Sequence, residues 1–260
     1  MENQEIATRV DRLVNLIIDA RKMVVFTGAG VSTESGIPDF RSPGGIWERF
    51  DPDDFTLQKF MTSKESRKKQ WRLMREGHIT EARPNPAHQA IAELDKLGRL
   101  DCVITQNIDC LHQKAGVPDR KVFELHGSNK WIRCLGCGQR YPYQEVKARL
   151  LAGEEIPDCK SCGGILKPEV VFFGESLPED ALEQAAAHAR SADLFIVIGS
   201  SLVVYPAACM PVYAVDSGAL LAIINLSPTP MDHQAAVLIN GKAGEVMARV
   251  IAQLKARLAG

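Results

Sequence analysis

Four groups of residues in this chain have the types and spacing to do chemistry. Gly28 and Gly30 follow the apolar run Met23-Val24-Val25-Phe26, the pattern of a buried parallel strand that opens into a tight turn. Glycines there let the backbone approach a ligand without a Cβ in the way. A strand running into glycines and then small residues is a physical recipe for holding a pyrophosphate at a helix N-terminus. The third glycine arrives at Gly36, so the dinucleotide fingerprint is imperfect, and no Gly-Lys-Ser/Thr ends the stretch, which argues against a P-loop nucleotidase. His126, after the run Val122-Phe123-Glu124-Leu125, suits a general base, because imidazole exchanges a proton near neutrality. Asn107 and Asp109, after Cys102-Val103-Ile104-Thr105, fit a ribose hydroxyl, a carboxamide or a water, or else simply form a turn. Cys134-Leu-Gly-Cys137 and Cys159-Lys-Ser-Cys162 have 21 residues between them and can close a tetrahedral Zn²⁺ shell. Four thiolates leave no position for water, so that metal is structural. A redox role fits poorly, since neither pair follows a strand and opens a helix.

The elements that must position these groups alternate along the chain. Ile6, Val10, Leu13, Val14 and Ile17 predict a helix over 4–20. Strands are expected at 23–26, 102–105, 122–125, 170–175, 194–198 and 220–224, and helices at 87–97, 178–189 and 243–258. Ligand-type residues recur where strands end, including Gly199, Ser200, Ser201 and Asn225. This is the signature of a Rossmann-like, doubly wound parallel sheet of the α/β class, with smaller inserted zinc-binding and helical modules. The expected division is 1–42, 84–127 and 170–260 for the Rossmann-like domain, 43–83 for the helical module and 128–169 for the zinc-binding module. Ile37-Pro38-Asp39-Phe40-Arg41 is too polar for core and reads as a loop that closes over substrate. Lys64, Arg67, Lys68, Lys69, Arg72 and Arg75 read as a solvated helix face, and His88 as structural.

At 260 residues and 45% hydrophobic content the chain can bury a full core. A net charge of −1 gives no field for nucleic acid or an anionic membrane, and no apolar run has transmembrane length. Neither direct nucleic-acid binding nor membrane insertion is expected. A start unlike a signal peptide and an odd count of seven cysteines point to a reducing, cytoplasmic setting.

The separated motifs Gly28-Ala29-Gly30-Val31-Ser32, Ser35-Gly36-Ile37-Pro38-Asp39-Phe40-Arg41, Gln106-Asn107-Ile108-Asp109 and Leu125-His126-Gly127 resemble the sirtuins, the NAD-dependent protein-lysine deacylases. The two cysteine pairs, Phe172-Phe173-Gly174-Glu175 and Gly199-Ser200-Ser201 extend the resemblance from about residue 23 to the C-terminus. It implies NAD as a consumed co-substrate beside one structural Zn²⁺, and acetylated-lysine proteins or peptides as partners. Gly28, Ala29, Gly30, Thr33, Asp39, Arg41, Gln106, Gly199, Ser200, Ser201, Asn225, Ser227 and Ala243 would line the dinucleotide. Phe40, Asn107, Ile108 and Asp109 would form the nicotinamide pocket, and His126, Asn107 and Asp109 the catalytic group. Val171 and Phe173 would wall the acyl tunnel, and the peptide would add as a strand between Gly174-Glu175 and the loop bearing Val203. The implied reaction expels nicotinamide and yields O-acetyl-ADP-ribose and free lysine. Sirtuins that favour acidic acyl chains resemble one another in a tyrosine and an arginine three residues apart after the glycine-rich loop. None of this chain's four tyrosines falls there, so a small acyl group is expected. Mono-ADP-ribosyl transfer, removal of other acyl groups, hydride transfer and a non-enzymatic zinc-module binder remain the alternatives.

Overall fold

The computed structural model describes residues 2–77, 79 and 81–259. In chain order its first elements are α1 (Glu2–Asp19), β1 (Met23–Thr27), α2 (Leu57–Thr62), α3 (Lys64–Glu76), α4 (Pro86–Lys96), β2 (Leu100–Thr105), α5 (Leu111–Ala115) and β3 (Val122–Glu124). There follow β4 (Gly127–Cys134), β5 (Arg140–Pro142), α6 (Tyr143–Leu151), β6 (Leu166–Val170), α7 (Glu179–Ser191), β7 (Leu194–Ile198), α8 (Cys209–Asp216), β8 (Leu220–Asn225), β9 (Val237–Asn240) and α9 (Ala243–Leu258).

Six strands form a parallel sheet in the order β3-β2-β1-β7-β8-β9. Successive side chains of a strand point to opposite faces, and both faces here are apolar. Val25, Val103, Ile196, Ile198 and Ile224 pack under the stripes of α1, α4 and α9, including Leu13, Ile17, Ile91, Leu94, Met247 and Val250. Val24, Phe26, Ile104, Phe195, Val197 and Ile223 pack instead on α7 and α8 through Ala185, Ala189, Met210 and Ala214. Helices on both faces make the doubly wound α/β architecture that the sequence predicts. No helix among the described residues is long and apolar enough to cross a membrane.

A second, antiparallel sheet of order β5-β4-β6 carries the cysteine pairs. Its core is Ile132, Tyr141, Tyr143, Val146, Leu150 and Leu166, completed by Trp71 from α3. The two inserted stretches therefore share one core.

Several local expectations change. The strand expected at 170–175 lies at Leu166–Val170 instead. Pro168 hides it in the sequence, yet an edge strand tolerates a residue without N–H. Beyond Val170 only Phe173 keeps a bridge, to Thr56. Residues Ala29–Ser35 form a 3-10 turn rather than an α-helix. Arg67 is half-buried and donates to the carbonyls of Phe60 and Met61 at 2.8 and 3.1 Å, rather than facing solvent. Much of the remaining basic face is paired, Lys68 with Glu155, Lys69 with Asp54 and Arg72 with Glu76.

Candidate active site

Parallel strands bring their carboxyl ends to one edge, and the ladder continues past each strand. Gln106 N–H donates to the Thr27 carbonyl at 3.0 Å, Leu125 N–H to Thr105 at 2.9 Å, Gly28 N–H to Ile198 at 3.2 Å and Gly199 N–H to Ile224 at 2.9 Å. The segments that begin at Gly28, Gln106, His126, Gly199 and Asn225 thus leave the sheet side by side. β1 and β7 flank the point where the strand order reverses, the place where open α/β sheets bind ligands. Backbone meets backbone there: a Cβ on Gly30 would lie 2.9 Å from Gly199 Cα. Gly199 has φ +62°, and a Cβ on it would lie 2.2 Å from Val31 N, so glycine is required at both positions.

His126 Nδ1 lies 2.9 Å from the Gln106 carbonyl. A carbonyl only accepts, so Nδ1 carries the proton and Nε2 keeps its lone pair. Burial holds the imidazole below its ordinary pKa, partly offset by the Gln106 carbonyl. The ring is therefore a neutral base at pH 7. Gln106 in turn donates through Nε2 to Ser200 Oγ at 2.8 Å, which joins the ends of β2 and β7.

Asn107 and Asp109 belong to a buried polar network that the sequence reading missed. Ser32 Oγ donates to Asp109 Oδ2 at 2.7 Å and accepts from Asn107 Nδ2 at 3.2 Å. Asn107 Nδ2 also donates to the Gly28 carbonyl at 3.0 Å. Below them, the Asn85 backbone N–H donates to His88 Nδ1, leaving the Nε2 proton to face Ser32 Oγ at 3.5 Å. His112 Nε2 lies 2.9 Å from Thr27 Oγ1, which gives its proton to Thr105 Oγ1, and Thr105 Oγ1 accepts the Asn107 backbone N–H at 3.0 Å. Desolvation lowers the pKa of His88 to about 4 and of His112 well below the ordinary value. No spacing in the sequence announces Ser32, because its partner Asp109 is 77 positions away.

Around this edge stand the other expected residues. Asp39 folds its own loop, accepting from the N–H groups of Arg41 and Ser42 at 3.0 and 2.7 Å. Phe40 stacks at 5.1 Å on Trp47, which meets Phe55 and Phe173 in turn. Ala29, Ile108 and Ser201 are half-buried, and Thr33 and Arg41 are exposed. Asn225 Nδ2 donates to the Ser227 carbonyl at 2.7 Å, and buried Ala243 opens α9, where Gly244 N–H donates to the Glu34 carboxylate. Val171 N–H donates to the His126 carbonyl at 2.9 Å, so the segment running through Phe173, Gly174 and Glu175 starts at the His126 main chain. Phe173 and Val203 are 48% and 46% exposed and offer free apolar surface.

In the small sheet, Cys134 Sγ lies 3.5 Å from Cys162 Sγ, and Cys137 Sγ 3.6 Å from Cys159 Sγ, with all four within 4.8 Å of one another. Zinc–sulfur bonds of about 2.3 Å set tetrahedral edges of about 3.8 Å, so the four thiols fit the ion. A Cβ on Gly164 would come 3.0 Å from Cys134 Sγ, which explains that glycine in the knuckle.

The description of the Sir2 family matches residues 28–206. NAD-dependent protein deacetylase 1 of Bradyrhizobium diazoefficiens is 45% identical over 245 residues, 94% of this chain and 95% of its own. NAD-dependent protein deacylase 2 of Pyrobaculum aerophilum is 44% identical over 95% of this chain and 96% of its own. Among solved structures, a Sir2 with a p53 peptide and NAD⁺ superposes with TM-score 0.86 at 40% identity, over 94% of this chain and 98% of its own. A second Sir2 enzyme superposes with TM-score 0.89 at 43% identity, over 99% and 100%. A strand-end histidine base, a glycine-lined switch point and a four-cysteine module accompany this likeness over nearly the whole chain, which belongs to the Sir2 family, the sirtuins.

Proposed function

We infer that this sirtuin is a NAD-dependent protein-lysine deacetylase that releases nicotinamide, O-acetyl-ADP-ribose and the free lysine. The observation that carries the reading is His126, a neutral base with Nε2 free at the sheet edge, whose carbonyl accepts the N–H of Val171, two residues before exposed Phe173. NAD, when bound, supplies the anomeric carbon from which nicotinamide leaves and to which the acetyl oxygen bonds. The chain's own residues do the rest. Gly28, Ala29, Gly30, Thr33, Arg41, Gly199, Ser200 and Ser201 cradle the phosphates and their riboses, and Asn225, Ser227 and Ala243 receive the adenosine end. Asn107, Ile108 and Asp109, held by Ser32, orient the carboxamide, with Asp39 shaping the loop that lays Phe40 over it. His126 removes a proton from a ribose hydroxyl. Val171 and Phe173 exclude water from the acyl group, which matters because an amide oxygen is a poor nucleophile and needs positioning and a dry site. The peptide adds its main chain between Gly174-Glu175 and Val203.

In this reading 1–42, 84–127 and 170–260 bind the dinucleotide, while 43–83 and 128–169 close the peptide cleft. The acetylated protein is the only macromolecular partner, with no nucleic acid or membrane engaged. The seven cysteines are unpaired, which supports a reducing, cytoplasmic setting. Removal of other acyl groups is a second reading, supported by the deacylase name of the Pyrobaculum relative. Mass analysis of an acetyl-lysine peptide incubated with and without NAD tests the conclusion. Free lysine and O-acetyl-ADP-ribose appearing only with NAD are expected. NADH formation, an ADP-ribosylated peptide or an unchanged peptide would refute it.

A further inference from the structure

We propose that Lys167 is the positioning residue of the acyl-peptide cleft, its buried ammonium folding the segment 168–175 into the shape that grips the substrate. The proposal rests on the deacetylase reading for what occupies the cleft.

Lys167 lies on β6 between two apolar neighbours and is 6% exposed. A buried ammonium must place all three of its donors. Here they go to the Val170 carbonyl at 2.7 Å, the Pro168 carbonyl at 3.3 Å and the Glu175 carboxylate at 2.8 Å. Two of the acceptors close the carboxyl end of β6, and the third, Glu175, lies in the segment that leaves the strand. The same Glu175 oxygen accepts the Phe172 N–H at 2.7 Å, so one ion pair closes the loop on itself. Gly174, with φ +87°, supplies the turn that brings Glu175 back. The other acid in the segment, Glu169, is engaged by Arg140 and Arg133, so Lys167 is the cation that Glu175 meets.

The ammonium also fixes which side chains face the cleft. It sits 4.4 Å from the centroid of the Phe172 ring, which packs edge-on against Phe60 of α2 at 5.1 Å. Extended chain alternates its side chains, so an inward Phe172 sends Val171 and Phe173 outward. Phe173 is then tied at both backbone groups, donating to the Phe55 carbonyl and accepting from Leu57 N–H, each at 3.0 Å. Glu175 thus acts on the peptide with its backbone, while its carboxylate is turned inward. A peptide read through its main chain is sensitive to the shape of this segment more than to any single side chain.

Lys167→Met keeps length and apolar volume and removes the charge. The zinc-loaded full chain is titrated with a fluorescein-labelled acetyl-lysine peptide by anisotropy, and with ADP-ribose by calorimetry. The peptide Kd is expected to rise at least about 10-fold, the scale of lost hydrogen bonds to a charged group, with the ADP-ribose Kd within about 2-fold of wild type. Glu175→Gln should weaken peptide binding too, and Lys167→Met/Glu175→Gln by less than the product of the single effects, since the pair acts as a unit. A peptide Kd unchanged in Lys167→Met, or equal weakening of both ligands, would overturn the proposal. Wild-type protein that does not distinguish the acetylated from the unmodified peptide would instead sink the deacetylase reading, and the proposal with it.

Discussion

His88 offers a quantitative test of the polar network beneath the cofactor loop. It is fully buried at the third position of α4, where its Nδ1 accepts the Asn85 N–H and closes a capping box. Desolvation lowers its pKa from 6.5 to about 4, with the Asp109 carboxylate pulling weakly the other way. A depressed folded pKa contributes stability that is present above pH 6.5 and is lost as pH falls from there toward 4. Between pH 7 and pH 5 the unfolded histidine gains its proton while the folded one does not, which integrates to about 2 kcal/mol. Glutamine is the replacement of choice, because its amide can fill the same capping-box position without titrating. Urea unfolding followed by circular dichroism at the two pH values should therefore show wild type losing about 2 kcal/mol more than His88→Gln. His112 is held neutral first by burial, and its neighbour His88 is itself uncharged in the folded state down to pH 5, so the His112 contribution is nearly the same in both proteins. Equal pH dependence of the two proteins would mean that His88 is solvated or already charged, and the tautomer argument for Ser32 would fall with it.

His126→Ala should lower deacetylation by about 10²–10⁴ while leaving NAD binding largely intact, checked by product chromatography and NAD titration. Because burial depresses its pKa, the acid limb of kcat/KM in wild type should lie below the ordinary histidine value of 6.5, and a limb above it would contradict the buried base. Cys159→Ala should lose the single zinc, lower the melting temperature and loosen the peptide cleft, because Trp71 joins the zinc-bearing core to α3. A metal-free protein that melts and turns over like wild type would remove the structural role. Acetyl-lysine peptides should exceed succinyl-lysine peptides in kcat/KM by at least about 10²-fold, as expected for a buried carboxylate without a partner. Arg67 is committed to two carbonyls and Arg72 and Arg75 to Glu76, so comparable rates would require one of them to leave its present partners.

The sequence by itself determined the parts governed by local rules. Apolar runs of strand length, periodic helices and glycines at turns specify the parallel sheet, and the two cysteine pairs specify a closed metal shell whatever surrounds them. His126 and Asn107 were legible because they end strands, and strand ends in such a sheet share an edge. Other features depended on contacts between distant residues, and these only the tertiary structure decided. Ser32 matters through Asp109 and His88, and Lys167 through Glu175 across a glycine turn. β4, β5, α8 and β9 carry too short or too mixed a pattern to stand out, and Pro168 masks β6. Arg67 has the spacing of a solvent-facing residue, yet folding brings the free carbonyls of Phe60 and Met61 within its reach. A buried polar group must find a partner, and which partner is near is set by how the chain folds back on itself.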